Sequence, residues 1–106
     1  MAVAVVTERM VLAGKERSLM RLLKQLQSKA ALHPGYITSR AYRDEKDERR
    51  IMVLSEWAHQ SAWESWEGRS ADRKAISGEI ADCLFGPTNH RVYSCVAAEQ
   101  GDDFRL

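Results

Sequence analysis

The chain is poor in cysteine and proline, with two of each in 106 residues. Cys83 and Cys95 are too few for a disulfide scaffold and lack metal-site spacing, so a reduced, cytoplasmic protein is expected. Neither sign of charge dominates: 16 Lys and Arg face 15 Asp and Glu, a formal net charge of +1. That balance removes the electrostatic footprint of a nucleic-acid or anionic-membrane partner. Long apolar runs are missing too. Even Ala2 to Val6, together with Met1 before it, makes only six consecutive apolar residues, where a membrane-crossing helix needs about 20. It lacks the charged lead-in and longer apolar region of a secretory signal. The three histidines form no pair at metal-site spacing on one helix or strand, so no metal is expected. Gly-rich phosphate loops, a nucleophile elbow and a His-based triad are absent, which lowers hydrolase, nucleotide-binding and RNA-binding readings.

What remains is one domain of ordinary globular composition, 44% hydrophobic and 29% charged. Residues 1–97 are assigned to it and 98–106 to a C-terminal tail. Ala2 to Leu12 is Val-rich and free of Gly and Pro, as a half-buried strand requires. Val3, Val5, Thr7, Arg9 and Val11 share one of its faces. Polar groups in mid-strand fit either a cavity wall or a partly solvated face. After Gly14, Leu19, Leu22, Leu23, Leu26 and Ala30 form one helical stripe, which His33-Pro34-Gly35 ends. Tyr36 to Arg43 alternates as a second strand, with Tyr36, Thr38, Arg40 and Tyr42 on one face. The charged turn Asp44 to Arg49 leads into a third strand, Arg50 to Trp57. A short helix, Ser61 to Glu67, is expected to break at Gly68. A second helix spans Ser70 to Phe85, with Ser70 as N-cap. His90 to Ala97 is the fourth strand.

Strand, helix, strand, strand, helix, strand is the order of an α+β, ferredoxin-like βαββαβ domain: a four-stranded antiparallel sheet with helices on one face. The other face is then open. Trp57, Val53 and the tyrosines are large groups to leave in water there, so a homodimer through the open sheet face is expected.

The segment Glu56-Trp57-Ala58-His59-Gln60-Ser61-Ala62-Trp63-Glu64-Ser65-Trp66-Glu67-Gly68-Arg69-Ser70 resembles the antibiotic biosynthesis monooxygenase family. The likeness lies in a Glu-Trp pair closing the third strand and an aromatic residue nine positions after that Trp. Gly35-Tyr36 opening the second strand is similar as well. The resemblance implies a dimeric α+β barrel. It further implies a small monooxygenase, either cofactor-independent on planar aromatic or quinol-like substrates or haem-degrading, with a non-catalytic ligand-binding module as the alternative. Trp66 stands where haem degraders carry the Trp that distorts the porphyrin. The matching positions for their iron-ligating His and first-strand Asn hold Ile76 and Thr7. Ile cannot coordinate iron and Thr has no amide donor. No cofactor is therefore expected, and haem only if a His from elsewhere serves.

Cofactor-free oxygenation asks for aromatic walls around a flat ring and donors that favour its anion. Trp66, Arg40, Tyr42 and Thr7 are the candidate catalytic residues. Trp57, Trp63, Tyr93 and His59 are the candidate substrate-binding residues. Each also has a plain structural role open to it, as packing, solvated strand face or turn.

Overall fold

A computed structural model describes residues 1–97; the expected tail, 98–106, lies outside them. The elements are β1 (Val3–Met10), α1 (Glu16–Ala30), β2 (Tyr36–Arg43), β3 (Arg50–Trp57), α2 (Gln60–Arg69), α3 (Ala71–Ala81) and β4 (Asn89–Ser94). The four strands form one antiparallel sheet in the order β2-β3-β1-β4. This is the ferredoxin-like α+β arrangement.

The period-2 pattern of β1 decides which face the helices cover. Val3, Val5, Thr7, Arg9 and Val11 are all buried, while Ala4, Val6, Glu8 and Met10 are half-buried on the other side. Register carries that polarity across the sheet: Thr7 lies opposite Val53 on β3 and His90 on β4. Two apolar clusters fill the layer between helices and sheet. One joins Val11 and Ile51 to Leu19 and Leu22 of α1 and Ile76 and Ile80 of α3. The second joins Val3, Val5 and Trp57 to Ala30, Ala62 and Trp66. Each fully buried Leu, Ile or Val contributes about 1.5–3 kcal/mol of transfer free energy. Thr7 and Arg9 sit along β1 between Val5 of one cluster and Val11 of the other, and so interrupt the apolar layer.

Four expectations from the sequence are corrected. Trp57 and Val53 face the helices, since they alternate with Ile51 and Ser55 on the covered side of β3; Trp57 is 1% exposed. The open face instead carries Val6, Met52 and Leu54, half-buried, with Tyr42 and Tyr93 exposed. On β2 a bulge at Ile37 breaks the simple alternation: Tyr36 pairs with Trp57 and Thr38 with Glu56. The extra residue moves Thr38, Arg40 and Tyr42 to the face opposite Tyr36. The break between α2 and α3 falls at Ser70 rather than Gly68. Ser70 is extended (φ −78°, ψ 117°), and its Oγ accepts the Arg73 N–H at 3.1 Å as an N-cap. Finally, α3 stops at Ala81, short of Phe85. The following turn pairs with the end of β1, where Leu12 N–H donates to the Cys83 carbonyl at 2.8 Å and Phe85 N–H to that of Met10 at 2.7 Å.

Gly35 fixes how α2 meets the sheet. Its φ of +90° is a left-handed conformation, and a Cβ there would lie 2.5 Å from the Cβ of Ala62. The Gly35 carbonyl accepts the Ala58 N–H at 2.7 Å, locking the start of β2 beside the end of β3. This close approach sets α2, and with it Trp63 and Trp66, over the sheet.

Candidate functional site

The interruption at Thr7 and Arg9 opens into a cavity of about 340 Å³ between helices and sheet, within the usual size range of small-molecule sites. One wall is aromatic. Trp57, Trp63, Trp66 and Tyr36 all line it. The Trp66 ring stacks beside Trp57 at 6.4 Å and 29°, and the Tyr36 ring meets Trp57 edge-on at 5.5 Å. His33 braces both indoles from behind, at 6.2 Å from Trp57 and 5.8 Å from Trp66. Trp57 Nε1–H donates to Ser55 Oγ at 3.2 Å, so that polar group is satisfied.

The opposite end is polar and made of residues from four elements. Thr7 Oγ1 lies 2.9 Å from Nδ1 of His90, and Nε2 of His90 lies 3.3 Å from Oε1 of Glu67. The Arg73 guanidinium ion-pairs with that same Glu67 oxygen. A carboxylate only accepts, so Nε2 of His90 donates to Glu67, and in that tautomer Nδ1 is the acceptor for the Thr7 hydroxyl. Hydroxyl, imidazole and carboxylate are thus in line. The edge of the His90 ring meets Trp63 at 5.7 Å, joining the polar end to the aromatic wall.

Two ionisable groups here are perturbed. Burial works to raise the Glu67 carboxyl, but the His90 contact and the charge of Arg73 outweigh it and hold the carboxyl below its ordinary value. Arg9, 7% exposed, is lowered to about 10, first by burial and then by repulsion from Arg73, against a smaller pull from Glu67.

Of the eight candidates from the sequence, Thr7, Trp57, Trp63 and Trp66 come together around this cavity. Arg40 borders it from the edge strand, itself exposed. The other three stand outside. The bulge at Ile37 turns Tyr42 to the open face, and Tyr93 is on that same face, in register with Ala4. His59 caps α2: its Nδ1 accepts the Ala62 N–H at 3.2 Å. His90, Glu67, Arg73 and Arg9 were missed. Their grouping depends on strand order and on the kink at Ser70, which places Glu67 of α2 against Arg73 of α3. The alternation of β1 did carry a signal, because it put Thr7 and Arg9 on the same face as Val3, Val5 and Val11.

The haem-degrading machinery does not fit these residues. Ile76 is packed in the α1–α3 core, and Thr7 is engaged with His90. Among the described residues His90 is the one imidazole lining the cavity, and both its nitrogens already have partners. No group of three or more His, Cys, Asp or Glu side chains placed to hold a metal ion is found among the described residues. No helix among them is long and apolar enough to cross a membrane.

A ferredoxin-like sheet roofed by three helices, with an aromatic cavity bounded at one end by ionisable groups, defines a small α+β domain of the ferredoxin-like class. The chain belongs to the antibiotic biosynthesis monooxygenase family, whose model matches residues 2–77. No curated protein matches it in sequence. Solved structures share the fold. A conserved protein from Methanosarcina mazei Go1 is 25% identical with a TM-score of 0.81, covering 88% of this chain and 91% of its own. Rv0793 from Mycobacterium tuberculosis is 15% identical with a TM-score of 0.82, covering 94% and 100%. SnoaB from Streptomyces nogalater, described as a cofactor-independent oxygenase, is 12% identical with a TM-score of 0.80, covering 96% and 98%.

Proposed function

We propose that the chain is a small monooxygenase that binds planar aromatic or quinol-like molecules in this cavity and oxidises them with dioxygen, using no cofactor. The observation that carries the reading is the meeting, in one cavity, of three indoles with the Thr7–His90–Glu67 line. Family membership and the fold shared with a cofactor-independent oxygenase support it.

A flat ring slides between Trp63 and Trp66, where apolar walls exclude water and offer stacking. Its hydroxyl donates to Thr7 Oγ1 while the Thr7 proton passes to Nδ1 of His90. Glu67, ionised, holds the resulting imidazolium, as in other hydroxyl–imidazole–carboxylate lines. The anion left on the ring is stabilised by the cationic groups around it. It gives one electron to dioxygen, and the ring radical and superoxide combine to a peroxide. The peroxide then loses water to leave a carbonyl. One oxygen atom ends in the product and the other in water; all four electrons come from the substrate, so a phenol becomes a quinone. In this reading Trp66 and Trp63 position the ring, and Thr7 and His90 move the proton.

Two copies pack their open faces together, covering Val6, Met52, Leu54, Tyr42 and Tyr93. The free thiols Cys83 and Cys95 suit a reducing, cytoplasmic setting. The test of activity is isotopic. Chelator-treated enzyme supplied with 1-naphthol and ¹⁸O₂ should consume one dioxygen per naphthoquinone formed and label one oxygen of the product. Trp66→Phe and Thr7→Val should each slow it at least tenfold. Absence of label in the quinone, or no turnover of any fused-ring phenol or hydroquinone, refutes the reading and leaves a ligand-binding module.

A further inference from the structure

Among the described residues Arg9 is the one buried charge that the proton line does not use. It stands near the end of β1, on the face that lines the cavity, and is 7% exposed. Its Nε is fully enclosed, and among the described residues it has no hydrogen-bond partner and no carboxylate within ion-pairing distance. Glu67, the nearest candidate, is occupied by Arg73 and His90. An unpaired charge in the interior is costly, and buried polar groups of this kind are normally satisfied. The imbalance extends to the whole cavity. Arg9, Lys24 and Arg73 line it, against Glu67 as the lone carboxylate among the described residues, while Arg40 borders it from the edge strand with its side chain on the open face. A guanidinium presents a planar fork of N–H donors, which matches a carboxylate in shape as well as charge.

We propose that Arg9 is an anion anchor and that the cavity's ligand is an aromatic carboxylate, its acid group on Arg9 and its ring against Trp63 and Trp66. The proposal rests on the aromatic reading of the cavity and adds to it the charge of the ligand. Arg9 is thereby a specificity-determining residue. It fixes which end of a flat molecule enters first and leaves the hydroxyl of the substrate facing Thr7.

The test compares 2-naphthoate with its neutral analogue 2-naphthamide, by quenching of the cavity tryptophans at neutral pH in low salt. Naphthoate should bind the unmodified protein about tenfold or more tightly than the amide. Arg9→Met should bring the two within about threefold of each other, and Arg9→Lys should keep part of the preference. Equal binding of acid and amide by the unmodified protein overturns the anchor while leaving the aromatic cavity standing. A preference that survives Arg9→Met overturns the assignment to this residue. Binding of neither probe overturns both readings. Should Arg9→Met fail to fold, Arg9→Gln supplies the same comparison.

Discussion

Arg9→Met removes a buried charge that has no partner among the described residues, and the expected result is a more stable protein. Burial and the neighbouring Arg73 lower the Arg9 guanidinium to about 10. Protonation therefore opposes folding at every pH below about 10 and the penalty is fully present at pH 7. It fades only as alkaline pH approaches the value of the unfolded chain. A tenfold change in proton affinity corresponds to about 1.4 kcal/mol. Relaxation and water entry trim the total, so the substitution should gain about 1–3 kcal/mol, as replacements of buried ions by apolar side chains of similar volume often do. Methionine fills the space of the arginine stem and is flexible enough to adapt to the gap. For a domain of this size that is a rise in melting temperature of roughly 5–15 °C. Urea unfolding at pH 7, followed by tryptophan fluorescence, measures it. A loss of 1 kcal/mol or more would refute the reasoning, because Arg9 would then be making contacts worth more than its desolvation. A stabilised variant that no longer distinguishes naphthoate from naphthamide would show a residue kept for binding at the expense of the fold.

Glu67→Gln should cost about 1–2 kcal/mol at pH 7, a figure already reduced for the partial exposure of the pair. Because the Glu67 carboxyl is held below its ordinary 4.5, its contribution is present above that pH and is lost as pH falls through the lowered value. Acid unfolding curves of the variant should accordingly be flatter than those of the unmodified chain below about pH 4.5, and parallel curves would count against the ion pair. Gly35→Ala should destabilise by about 2–5 kcal/mol, summing left-handed backbone strain with the collision at Ala62; a melting temperature within 2 °C of the parent would contradict it. Light scattering at micromolar concentration should give twice the chain mass of 12.1 kDa, falling to the single mass in Leu54→Asp. A monomeric parent would remove the proposed face-to-face pairing.

The elements were legible because each has a strong local cause. The leucine stripe of α1 has the helical period, and Val and Ile alternate along β1 and β3. Gly14, His33-Pro34-Gly35 and Gly86-Pro87 mark where the chain must turn. Two errors came from features that local pattern does not carry. Nothing in YITSRAYR announces the bulge at Ile37, yet that one residue decides whether Arg40 and Tyr42 face the helices or the open side. Gly68 looked like a break, but a glycine with open space around it is tolerated inside a helix, whereas Ser70 stops α2 by capping α3. The aromatic half of the cavity was readable because Trp57, Trp63 and Trp66 fall within ten residues of one another. The polar half was not. Thr7, His90, Glu67 and Arg73 are brought together by the pairing of β1 with β4 and by the kink between two helices, which are tertiary facts.

A crystal structure of the protein with 2-naphthoate tests the central claim most directly. The ring should lie against Trp63 and Trp66, beside Trp57, with its carboxylate on the Arg9 guanidinium and its far edge near Thr7 Oγ1. A ligand seated on the open sheet face, or a cavity closed by the collapse of Trp66 onto β1, would contradict it.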